Sequence, residues 1–164
     1  MSLGITILNI LHVGLSLIGI IAGLLVLFGF LTSTRLDGWT KVFLGTTIAT
    51  SVTGFMYPFH KFLPSHAFGI ISLIVLPIAI YARYPKRLAG GWRRTFVITS
   101  TVALYLNVFV LVAQIFDKVP ALHALAPAQS EPPFLITELA NLALFIVLGT
   151  FAAIKFRVEA VQPA

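Results

Sequence analysis

Charged residues punctuate this chain and leave five long runs between them that are almost free of charge. Residues 2–34 carry no charge at all; the runs 42–60, 62–82 and 95–116 lie between Lys41, Lys61, Arg83, Arg94 and Asp117; the last, 132–154, is interrupted only by Glu138. A bilayer core about 30 Å thick takes about 20 apolar residues of α-helix to cross. Each run is long enough, and none alternates with the period of two that a barrel strand requires. Backbone in hydrocarbon must satisfy its own hydrogen bonds, so the spans are helical. The reading is an all-α bundle of five transmembrane helices, at about 4–31, 41–58, 65–82, 95–116 and 134–154, in one membrane domain covering 1–164. Composition agrees: 59% hydrophobic and 10% charged, where a soluble domain has about 25% charged residues. That excludes a soluble globular domain, a disordered chain and a nucleic-acid binder. With no cysteine there is no disulfide framework, thiolate metal site or cysteine nucleophile.

The net charge of +6 reads as topology. With five spans, Arg35, Lys41, Arg83, Lys86, Arg87, Arg93, Arg94, Lys155 and Arg157 fall on one side, and Lys61 and Lys118 on the other. Lys and Arg accumulate on the cytoplasmic side. The N-terminus is therefore predicted outside and the C-terminus in the cytoplasm, with Trp39 and Trp92 as aromatic anchors at the cytoplasmic interface. A signal peptide over 1–31 is disfavoured: there is no basic leading segment, the apolar run is too long, and no small-residue cleavage site lies near Thr34. The basic loop 83–94 is predicted to meet anionic lipid head groups.

Several spans carry polar faces. Gly19 and Gly23 form a GxxxG pattern suited to close helix approach, and Asn9, His12 and Ser16 share that face. Thr46, Thr50, Thr53, Tyr57 and His60 draw one stripe at helical spacing, either a packing seam or a cavity lining. Pro58 is expected to end that helix near Tyr57; Ser65 is a candidate N-cap, and Pro77 a candidate kink. Ser100, Asn107 and Gln114 recur every seven residues. Glu138 and Asn141 share a face, and Glu138 is the one acidic residue predicted within the hydrocarbon boundary, where ionisable groups are functional candidates.

Under the predicted topology all four histidines fall in the outer half, and Pro120–Leu125 is expected to lie as a short lid on the membrane surface. The candidate ligand-binding set is His12, Tyr57, His60, His66, Asn107, Gln114, Glu138 and Asn141; the metal candidates are His12, His60, His66 and His123. Haem would need imidazoles from different helices at similar depth. A metal would want histidine with carboxylate, but no helical His–His or His–Glu spacing is present. A quinone or other lipid-soluble ligand needs only an apolar cleft and a few polar contacts. No catalytic residue is assigned: P-loop, dinucleotide, zincin and nucleophile-elbow motifs are all missing.

The stretches Gly38-Trp39-Thr40, 50–60 (Thr-Ser-Val-Thr-Gly-Phe-Met-Tyr-Pro-Phe-His), 90–94 (Gly-Gly-Trp-Arg-Arg), Tyr105-Leu106-Asn107 and 129–133 (Gln-Ser-Glu-Pro-Pro) resemble segments of small, uncharacterised polytopic bacterial inner-membrane proteins. The resemblance implies a bacterial, multi-pass, integral protein and transfers no site residue. The expectation is a non-enzymatic membrane protein that binds a hydrophobic or redox ligand, or a partner subunit or second copy, through an outer-half pocket. The rivals are a transporter or channel subunit with its pathway along the Thr46–His60 stripe, and a purely structural subunit.

Overall fold

Six α-helices make up the computed structural model, which describes residues 3–57 and 64–157. They are α1 (Leu3–Leu31), α2 (Asp37–Gly54), α3 (Pro64–Arg83), α4 (Trp92–Lys118), α5 (Pro120–Leu125) and α6 (Pro132–Lys155). There is no strand among the described residues. Four helices, α1, α3, α4 and α6, are long and apolar enough to cross a membrane. The chain is a helical membrane protein. α2, at 18 residues, is long enough for a rise of about 27 Å, but its six Thr and Ser side chains, with Asp37 and Lys41, make it more polar.

Five helix ends meet at one end of the bundle. Arg83, closing α3, pairs with Asp37, which opens α2. Arg93, at the start of α4, donates to the Phe156 carbonyl just beyond α6. Ser33, after α1, exchanges hydrogen bonds with the backbone of Arg157 at 2.9 and 2.8 Å. These contacts gather the basic residues outside the 2–3 turn and Lys118 into one basic end. At the opposite end, His12 of α1 meets Thr53 of α2, so α1 and α2 run antiparallel along their shared length. α4 is the hub, packed against α1, α3, α5 and α6.

The main core lies towards the basic end. Val26, Leu27 and Phe30 of α1, Phe43 of α2, Leu76 of α3, Phe96, Val97 and Leu104 of α4 and Phe145 of α6 form one cluster. The Gly19–Gly23 pattern permits this packing: a side chain at Gly23 would come within 2.6 Å of Leu104 and 2.9 Å of Phe43. All buried residues of α1 lie in its second half, from Gly19 to Phe30, and Leu3, Ile7, Ile10 and Leu11 are exposed. A smaller cluster of Phe116, Phe134 and Ala126 sits under α5, the short helix expected as a surface lid.

Both ends of α2 and the start of α3 differ from the sequence reading. α2 starts at Asp37, whose negative charge suits a helix N-terminus, and ends at Gly54, where Phe55 and Met56 turn back onto Val52 and Thr53. Tyr57 therefore stands beyond the helix. α3 begins at Pro64, whose fixed φ and missing N–H suit a first helical position, so Ser65 lies inside the helix and is not its N-cap.

Candidate functional site

The expected polar residues fall into separate helix interfaces. Between α1 and α2, the His12 Nδ1 lies 2.9 Å from the Thr53 hydroxyl, the Tyr57 hydroxyl donates to Asn9 Oδ1 at 3.2 Å, and the His12 and Tyr57 rings meet edge to face at 5.5 Å. His66, in the first turn of α3, stacks against Phe55 at 5.9 Å. His123 is exposed on α5, and Gln114 is exposed near the end of α4. His60 lies outside the described residues. Among the described residues, no three His, Asp or Glu side chains gather as a metal site would require.

Deeper, where α1, α2 and α4 meet, Asn107 donates to the Thr47 hydroxyl at 3.3 Å, with Gly19 making room beside both. The threonine stripe behaves as helix packing. Thr46 and Thr53 hydroxyls return to their own helix at Val42 and Ala49, at 2.7 and 2.8 Å, the back-bonding expected of threonine inside a helix. Thr47 and Thr50 are buried.

Glu138 sits on the α6 seam that faces α4, in register with Phe134, Phe145 and Ala152, and is only 6% exposed. Asn141 Nδ2 donates to its Oε2 at 3.4 Å, while its Oε1 is buried without a hydrogen-bond partner.

Below Tyr105, α4 and α6 part to form a groove of about 560 Å³ open to the surrounding medium. Ile98, Val102, Leu142, Phe145 and Ile146 supply apolar walls, Tyr105 stands at one end and Arg94 at the other. Small residues bring the two helices together along the floor of the groove. α6 presents Gly149 and Ala153 where α4 presents Thr101, and a Cβ at Gly149 would come within 3.0 Å of the Thr101 methyl. The hydroxyls of Thr101 and Thr150 are spent on Val97 and Ile146 of their own helices, at 2.8 and 2.7 Å, so they show the groove their methyl groups. Tyr105 carries the aromatic wall onward, packing on Phe145 at 5.7 Å and Phe109 at 6.2 Å.

None of the expected ligand-binding residues lines this groove. Its signal in the sequence is the small-residue pattern Gly149, Thr150 and Ala153 on the last span facing Thr101 on the fourth, which needed the pairing of those helices to be legible. No protein-family model, curated protein or solved structure matches this chain.

Proposed function

We propose that this chain is a non-catalytic, five-span protein of the bacterial inner membrane, with its N-terminus outside and its basic end in the cytoplasm, that binds a hydrophobic ligand in the groove between α4 and α6. α2 is the fifth span. Its polar side chains are largely bonded to its own backbone or paired with His12, Arg83 and Asn107 of α1, α3 and α4, so its modest hydropathy does not prevent it from crossing. The observation that carries the binding reading is the groove itself. Its volume lies in the range of small-molecule sites, roughly 300–1,000 Å³, and its apolar walls with one aromatic hydroxyl match their usual make-up. A pathway along the threonine stripe is less well supported, because Thr46 and Thr53 are bonded back and Thr47 and Thr50 are buried among helices.

The test uses Tyr105→Trp as a fluorescent reporter, with Trp39 and Trp92 replaced by Phe, in bilayers containing increasing amounts of a chain-brominated lipid. A binding groove gives quenching that saturates at low mole fraction, and Gly149→Leu, which crowds the groove floor against Thr101, abolishes that phase. Quenching that rises in proportion to the brominated fraction and ignores Gly149→Leu would show a lipid-facing tyrosine with no site.

A further inference from the structure

The groove has a polarity that names its occupant. Arg94 stands at one end, exposed, and among the described residues it has no ion pair or hydrogen bond through its side chain. Three cations at that end are committed: Arg93 donates to the Phe156 carbonyl, Arg83 is held by Asp37, and Lys86 lies over the Tyr81 and Trp92 rings at 5.5 and 5.6 Å. Lys155 follows Ile154, the last α6 residue of the groove, and is exposed as well. Moving away from Arg94, every wall residue up to Tyr105 presents carbon.

The length of the groove fixes the scale of the ligand. Arg94 and Tyr105 are eleven residues apart on α4, a rise of about 17 Å. One leaflet contributes roughly half of a 30 Å hydrocarbon core, about 15 Å. A guanidinium at one end of an apolar channel as long as a leaflet is deep matches an amphiphile with its anionic head at the membrane surface and its chain running towards the midplane. We infer that the groove is a binding site for a phospholipid with an anionic head group, the phosphate paired with Arg94 and one acyl chain lying along Ile98, Val102, Phe145 and Gly149 to end at Tyr105. This rests on the groove reading above and adds to it the chemistry of the ligand and its orientation. It differs from general attraction of lipid to a basic surface, because one arginine and one groove act together.

Native mass spectrometry of the whole protein, released from mild detergent holding equal amounts of phosphatidylglycerol and phosphatidylethanolamine, tests it. One arginine near an anionic lipid surface contributes about 1 kcal/mol, so the wild-type protein should retain the anionic lipid about fivefold over the zwitterionic one. Arg94→Gln should remove that preference while retaining lipid, and Gly149→Leu should lower retention of both lipids. Val102→Trp, which narrows the channel from the other wall, repeats the second result if Gly149→Leu fails to fold. Equal retention of both lipids by the wild type, or a preference that survives Arg94→Gln and falls with Lys155→Gln, would overturn the Arg94-centred site and leave the groove standing. Absence of retained lipid, with no response to either groove variant, would overturn the groove reading itself.

Discussion

At the scale of single residues, Glu138 is the least comfortable group in the bundle. It is 94% buried on the α4-facing seam, one oxygen has no partner and the other has only the long bond from Asn141. An unsatisfied buried polar group costs about 1–3 kcal/mol. Glu138→Leu, which keeps the seam filled with carbon, should therefore raise stability by about that amount; thermal unfolding in detergent would check it, and a loss would mean the carboxyl makes contacts that its geometry here lacks. Glu138 and Asn141 were legible as a pair because three-residue spacing puts them on one helix face, and their bond is observed. Leu88 was not legible. It sits at φ +60° in the 84–91 turn and is 5% exposed in the main core, a left-handed conformation that normally costs a non-glycine residue about 1–2 kcal/mol. Only the finished packing shows why a leucine is accepted there.

At the scale of elements, the charge-bounded runs located all five long helices to within a few residues, because each apolar run is long enough to hold a helix of membrane-spanning length. The end of α2 was misjudged. Pro58 suggested a stop at Tyr57, whereas the chain leaves the helix at Gly54, three residues earlier, and this turns Tyr57 back towards Asn9 and His12. The α5–α6 connection is organised by another residue that sequence spacing did not mark. Glu131 precedes the Pro132-Pro133 start of α6, and its carboxylate accepts the N–H groups of Ala128 and Ser130 at 3.1 and 3.0 Å. Desolvation alone would raise this carboxyl, but the backbone donors of Ala128, Ser130 and Glu131, with the charge of His123, outweigh it and hold its pKa below the ordinary glutamate value. A depressed pKa in the folded state means the stabilisation is complete above the ordinary glutamate range and is lost as pH falls through the depressed value. Hydrogen exchange of the Ala128 and Ser130 amides should accordingly rise relative to pH-corrected intrinsic rates on acidification below that range. Glu131→Gln should show the faster relative exchange at neutral pH and no further acid step. An acid step of equal size in the variant would assign the effect to another group.

At the scale of the whole molecule, the histidines illustrate the limit of reading one sequence. Topology puts His12, His66 and His123 towards the same end, but depth is not convergence: His12 is engaged with Thr53 and Tyr57, His66 with Phe55, and His123 is exposed on α5. Which helix faces which is settled by packing around α4, and the groove appears only once α4 and α6 are paired. The basic end is the counterpart that the sequence did foretell, since the positive-inside imbalance already required residues 35–41, 83–94 and 155–157 to lie on one side. Contacts of Arg83 with Asp37, Arg93 with Phe156 and Ser33 with Arg157 draw the same segments together.

The proposed five-span, N-out arrangement underlies the orientation of the groove and the identity of the leaflet at its mouth, and it has a direct test. The chain has no cysteine, so single cysteines report without background. Ala89→Cys, in the basic 3–4 loop, and Ala124→Cys, on α5, are both at exposed positions. In intact spheroplasts a membrane-impermeant maleimide should label Ala124→Cys and leave Ala89→Cys untouched until the membrane is permeabilised. Labelling of Ala89→Cys from outside, or of both positions alike, would contradict the arrangement.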